Sequence, residues 1–255
     1  MSGGTVNGLL MYGIIPAGRG RLEQLTGLRD APVKAVRAKA LSALVSEIPS
    51  QRIRPERRNI AAFEAVLRDV LDQGVTLLPM AFGVVAENED EVKAFLETHE
   101  ETLLRQLEHV DGKVEMGLYV TWTPANIFEY FVEKDPQLRD TRDRLFGGQQ
   151  EPTRDEKIEL GRLFEQLRDA QRQADTDKIV QALEKRWEVK AAAAKGDAEV
   201  TNLACLIPRE AQGEFEKAVR LIAKDFDDNY SLRIDGPWPP HSFCNVRLSP
   251  PVGAK

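Results

Sequence analysis

A chain of 255 residues has room for one large domain or two small ones, and an apolar fraction of 42% allows a buried core. Charged residues make up 30%, with the signs interspersed, and the net charge of −6 excludes a generic nucleic-acid binder, which needs a dominant basic stripe. The apolar run at residues 8–15 is too short to span a bilayer and has no basic region before it, so the expectation is a cytoplasmic protein without a membrane contact.

In chain order, residues 9–15 form an apolar run closed by Pro16, which reads as a buried strand. Two further strands follow at 32–37 and 41–48, then a polar, arginine-rich loop at 50–58. Ile60, Phe63, Val66, Leu67, Val70 and Leu71 recur at helical spacing and predict one buried face of a helix that Gly74 stops. Residues 75–86 suit a kinked strand or two short ones around Pro79. Asn88 and the acids after it read as an N-cap for a second helix running to Val110, broken by Asp111-Gly112.

The pattern then restarts. Residues 114–122 predict a strand, and two short helical pieces lead to Gly147-Gly148. A capping box at Thr153–Glu156 opens a long helix to about Arg186, with Leu160, Leu163, Phe164, Leu167, Ala170 and Ala174 as its buried stripe. A hairpin follows around Gly196-Asp197, then a helix from Pro208 with Phe215, Val219, Ile222 and Phe226 inward, then a strand at 230–234. From about residue 113 the order strand, helices, strand, strand, helix, strand is that of a split βαβ, or ferredoxin-like, unit. The expected fold is therefore α+β in two domains. Residues 1–111 form an N-terminal α+β domain, and residues 112–255 a modified ferredoxin-like one with extra helices.

Catalytic chemistry is hard to assemble from these residues. His99 and His109 are about 15 Å apart along one predicted helix, too far to share a metal. His241 and Cys244 make at most half a metal site, so neither a metal nor a cofactor is expected. Cys205 and Cys244 read as reduced apolar fillers rather than a disulfide framework. The Gly-rich stretch 13–20 lacks the spacing of a dinucleotide or phosphate loop, and there is no Gly-x-Ser-x-Gly elbow. The protein is expected not to be an enzyme.

Two clusters remain. Arg52, Arg54, Arg57 and Arg58 place four guanidiniums in seven residues ahead of a helix. They are either a docking site for an acidic surface or phosphate, or a solvated loop in which one or two arginines tie down neighbouring carbonyls. The segment 236–243 sets Trp238 among three prolines and ends on Phe243. Its ring either packs back on the domain or is presented to a partner.

Several stretches together resemble one family. These are Met11-Tyr-Gly-Ile-Ile15, Arg54-Pro-Glu-Arg-Arg-Asn59 with the helix to Leu67, and Leu78-Pro-Met-Ala-Phe-Gly-Val-Val85. With them stand Glu115-Met-Gly-Leu-Tyr-Val-Thr-Trp122, Glu159-Leu-Gly-Arg-Leu-Phe-Glu165 and Gly236-Pro-Trp-Pro-Pro-His-Ser-Phe243. In this order and spacing they resemble the GvpF/GvpL proteins, accessory components of the hollow gas vesicles that give prokaryotes buoyancy. His241 stands where an aromatic such as Tyr is usual, and Phe63 where His is common. The resemblance implies two α+β domains and a non-enzymatic accessory or minor structural role in gas vesicle assembly. It implies contact with the small hydrophobic shell protein GvpA and other accessory proteins, at the gas vesicle and in the cytoplasm. A small-ligand-binding sensor or regulator on a ferredoxin-like sheet is the alternative.

Overall fold

A computed structural model describes residues 7–18, 24–49, 53–148 and 151–246. The fold mixes helix and sheet, and its described residues fall into two compact units. One gathers the described residues up to 115 with 206–210 and 237–246; the other holds those from 116 to 205 with 211–236. Residues 237–246 thus group with the N-terminal unit, whereas a cut at 111/112 leaves them with the second.

The first unit is built on antiparallel strands β1 (Asn7–Pro16), β2 (Val33–Ala38) and β3 (Leu41–Pro49), with two-residue strands β4 (Leu78–Pro79) and β5 (Val85–Ala86) completing the sheet. The order is β2-β3-β1-β4, and β5 also pairs with β1. Nearly every described side chain of β1 and β3 is buried, because helices cover the sheet. These are α1 (Arg57–Asp72), α2 (Glu89–Thr98) and α3 (Glu100–Val110).

The β1–β3 register slips by one residue between Met11 and Gly13, which makes Tyr12 the bulged position. Its ring stacks on Phe63 of α1 at 5.1 Å, and its hydroxyl lies 2.8 Å from Ser46 Oγ while accepting the Leu28 N–H at 2.9 Å. Burial of that hydroxyl raises its pKa, against the lowering effect of those hydrogen bonds.

Three local expectations shift here. The helix expected over 88–110 is two, because His99 (φ −107, ψ 10) leaves the helical region. The apolar spacing carries over from Leu96 to Leu103, so periodicity does not reveal the break. α1 starts two residues earlier than expected, at Arg57. Ile60, assigned to its buried face, is 38% exposed. Periodicity picks out a face of a helix but not how far along it the covering sheet extends.

The second unit carries a sheet in the order β7-β8-β6-β9. Its strands are β6 (Lys113–Trp122), β7 (Glu188–Ala192), β8 (Glu199–Pro208) and β9 (Tyr230–Trp238). Strict alternation buries Val114, Met116, Leu118, Val120 and Trp122 of β6. The helices are α4 (Ile127–Lys134), α5 (Pro136–Phe146), the capping-box helix α6 (Arg154–Glu184) and α7 (Gln212–Ala223). β9 runs beyond the strand expected at 230–234, through Asp235-Gly236-Pro237 to Trp238. It is an edge strand, where a proline without an N–H is tolerated.

The buried side of α6 also differs from expectation. Arg168, Asp175, Ile179 and Leu183 are buried with Leu160, while Ala170 and Ala174 are exposed. A stripe chosen by apolarity follows the alanines. The chain instead buries two charged residues and satisfies them: Arg168 pairs with Asp169 and Asp197, and Asp175 accepts from Gln171 and Tyr230. No helix among the described residues is long and apolar enough to cross a membrane.

Candidate functional site

The arginine loop enters α1 with a fixed backbone. Pro55 holds Arg54 away from helical dihedrals, and the Arg54 carbonyl accepts both the Glu56 N–H at 2.8 Å and Asn59 Nδ2 at 2.9 Å. Glu56 occupies the N-cap position without a side-chain cap. Instead its carboxylate accepts from Arg58 Nε at 2.9 Å. That pair is exposed and contributes under about 1 kcal/mol. Arg54 and Arg57 are exposed as well, with no carboxylate partner among the described residues. Arg52 lies outside the described residues. The Arg54 carbonyl is tied down by the backbone and Asn59, and among the described residues no guanidinium of Arg54, Arg57 or Arg58 bonds a carbonyl.

The tryptophan segment splits in function. Trp238 is 37% exposed, and Arg68 of α1 places its guanidinium carbon 4.9 Å from the ring centre. Beyond it a 3-10 turn (His241–Phe243) folds back. Glu115 accepts the Ser242 N–H at 2.7 Å and its hydroxyl at 2.8 Å, and Asn245 donates its N–H to Gln106 at 2.6 Å. Phe243 is only 6% exposed and serves as a core anchor. A side chain that buried offers a partner almost nothing to touch, so of the two aromatics singled out in sequence Trp238 alone lies at the surface.

Helix α1 joins the two clusters. Arg57, Glu64 and Arg68 stand at i, i+7 and i+11, hence on one helical face. Glu64 meets His241 at 3.5 Å, and the exposed Ile60 lies beside this stripe. The result is one exposed face with arginines at its start, an aliphatic side chain beside them and an indole near its end. Sequence reading missed Ile60, Glu64 and Arg68. The signal was present in the seven- and eleven-residue spacings, but charges on an amphipathic helix usually mark only its wet side.

A second polar cluster lies within the other unit. Arg172 donates from Nε to the Glu199 carbonyl at 2.7 Å and from Nη2 to the carbonyls of Gly196 and Asp197, while its guanidinium sits 5.6 Å from the Trp122 ring. Burial, with Asp227 beside it, pushes the Tyr130 hydroxyl up to about 12, and burial raises that of Tyr230 too. The Arg172 bonds fasten α6 to the β7–β8 connection, while Tyr130 donates to Asp227 and Tyr230 to Asp175. Among the described residues no group of three or more His, Cys, Asp or Glu side chains is placed to hold a metal.

Comparison with known proteins gives a consistent result. The model of a family described as gas vesicle synthesis protein GvpL/GvpF matches residues 8–245. The chain is 26% identical over 241 residues to gas vesicle protein F of Dolichospermum flosaquae, covering 93% of this chain and 98% of that protein. It is 29% identical over 238 residues to gas vesicle protein F of Streptomyces sp. (strain CB03234), covering 91% and 98%. In fold it is similar to the crystal structure of GvpF from Anabaena sp. PCC7120, with a TM-score of 0.84 at 24% identity over 95% of this chain and all of that one.

Proposed function

The chain belongs to the GvpL/GvpF family of gas vesicle synthesis proteins, and on that premise we propose that it is a non-enzymatic accessory protein that binds the shell protein GvpA and other accessory proteins during assembly. The observation that carries the reading is the exposed face of α1, where Arg54, Arg57 and Arg58 precede Ile60 and lead to Trp238. Arginine and tryptophan are the side chains that most often anchor protein interfaces, and fixed backbone beneath them lowers the entropy lost on binding. Its place is the gas vesicle and the cytoplasm around it.

The same reading takes the chain as two α+β domains, with the passage from first to second near Asp111-Gly112. The sheet order β9-β6-β8-β7 supports a split βαβ plan for the second, with α4 and α5 as its additions. The segments 206–210 and 237–246 then belong with the first domain.

The test is a pull-down of purified GvpA with the intact chain and with the Arg54→Ser/Arg57→Ser double variant. Stability should move by roughly 0.5 kcal/mol or less, because neither guanidinium is buried. Capture should weaken, most visibly at low salt where unscreened attraction contributes most. A large fall in Tm with capture intact would show that the arginines support the fold instead, and the reading would fail.

A further inference from the structure

Beside the arginine loop lies a cavity of about 230 Å³. Among the described residues its lining includes Arg29, Arg54 and Arg58, the apolar Ile48 and Ile53, and one acid, Glu56. Three guanidiniums against one carboxylate leave two excess positive charges, in a chain whose net charge is −6. Glu56 is already engaged by Arg58, and Arg29 and Arg54 have no carboxylate partner among the described residues.

The backbone is organised around this cavity from two directions. Arg54 is held by its own carbonyl, which accepts from Glu56 N and Asn59 Nδ2. Arg29 and Asp30 are consecutive left-handed residues, with φ of 56 and 59, and neither is glycine. Long side chains rarely adopt that conformation, and it persists only where the surroundings impose it. Here the Gly27 N–H bonds to the Ala31 carbonyl at 2.8 Å, and the Leu28 N–H bonds to the buried Tyr12 hydroxyl at 2.9 Å. The fold thus maintains a strained turn that brings Arg29 to the same cavity as Arg54 and Arg58.

The volume selects among occupants. Small-molecule and cofactor sites usually run from about 300 to 1,000 Å³. A cavity below that range suits one or two anchoring side chains of a partner better than a whole metabolite. We propose that it seats an acidic side chain of a partner protein's peptide segment, with the adjacent aliphatic side chain on Ile53 and the carboxylate held by Arg29 and Arg54. This rests on the reading of the arginine face as a partner-binding surface, and it names the chemistry that surface recognises. A forked guanidinium matches a carboxylate in two parallel bonds, and the adjoining apolar wall keeps those bonds from full solvation.

The experiment uses the full chain and fluorescein-labelled peptides carrying Leu-Glu-Ile or Leu-Gln-Ile, read by fluorescence polarisation. The Glu peptide should bind about tenfold more tightly than the Gln peptide, the scale of a charge-assisted hydrogen bond. Arg29→Asn keeps a residue that tolerates the left-handed turn and removes the charge. It should abolish most of that difference while leaving Tm unchanged. Arg105→Ala, an exposed arginine of α3 outside the cavity and outside the arginine face, should change binding less than about twofold. The proposal is overturned if neither peptide binds, if Glu and Gln peptides bind alike, or if Arg105→Ala weakens binding as much as Arg29→Asn. Failure of the pull-down with this peptide preference intact would count against the assembly role alone, and the reverse pattern against the cavity alone.

Discussion

The Arg68 guanidinium lies 4.9 Å from the centre of the Trp238 ring, so a side chain of α1 holds the proline-flanked indole in place while leaving it 37% exposed. One turn earlier on the same helix, Glu64 meets His241 at 3.5 Å. The tail therefore lies along the helix whose N-terminal turn presents the arginines. Its attachment and its availability to a partner rest on different residues.

That separation can be measured. Phe243→Ala removes a ring that is only 6% exposed and should cost about 3 kcal/mol, read as a clear fall in Tm. Trp238→Ala loses a half-exposed stacking contact and should cost about 1 kcal/mol, yet weaken capture of GvpA more than Phe243→Ala does at a temperature where both are folded. Equal effects on capture would mean the indole has no direct part in binding.

The bulged Tyr12 makes a second test. Tyr12→Phe strands the Leu28 N–H and the Ser46 hydroxyl in a buried site, and should cost about 1–3 kcal/mol in denaturant titration. Gly27→Ala should cost more, because a Cβ there would stand 2.2 Å from the Tyr12 hydroxyl oxygen. The double variant should be less destabilised than the sum of the two, since removing the hydroxyl relieves that clash. Simple additivity would refute the proposed contact.

Arg172→Lys, though charge-conserving, should destabilise the second unit by about 2 kcal/mol. A lysine presents no planar fork to reach the carbonyls of Glu199, Gly196 and Asp197 together, and it stacks less well on Trp122. Hydrogen exchange at the N–H groups of residues 196–200 should rise in the variant, and unchanged protection would contradict this account.

The raised tyrosine hydroxyls predict an alkaline limit. A phenol in the unfolded chain ionises near pH 10, whereas burial holds that of Tyr130 up to about 12 and raises that of Tyr230. The unfolded state therefore sheds its protons first. The stability contributed is fully present below about pH 10 and is lost as pH rises through about 12. Tm should hold level to about pH 9 and then fall, and the fall should be shallower in Tyr130→Phe.

Periodicity and punctuation in the sequence alone determine most elements. The alternation of residues 114–122, the capping box at Thr153–Glu156 and the apolar face of Phe63, Val66, Leu67, Val70 and Leu71 all stand where those patterns place them. These signals are legible because each arises from contacts between near neighbours in the chain. The two candidate clusters were legible as unusual composition, and the family followed from the motifs in order. Long-range packing decided the rest. It buried Phe243 and left Trp238 exposed, although both belong to one short segment. It turned Arg168 and Asp175 inward by supplying partners from distant residues, Asp197 and Tyr230. It also brought Arg29 to the same cavity as Arg54 and Arg58 through a strained turn held by Tyr12. Local spacing carries no record of such meetings, because whether a charge or a ring is buried depends on which remote groups the fold sets against it.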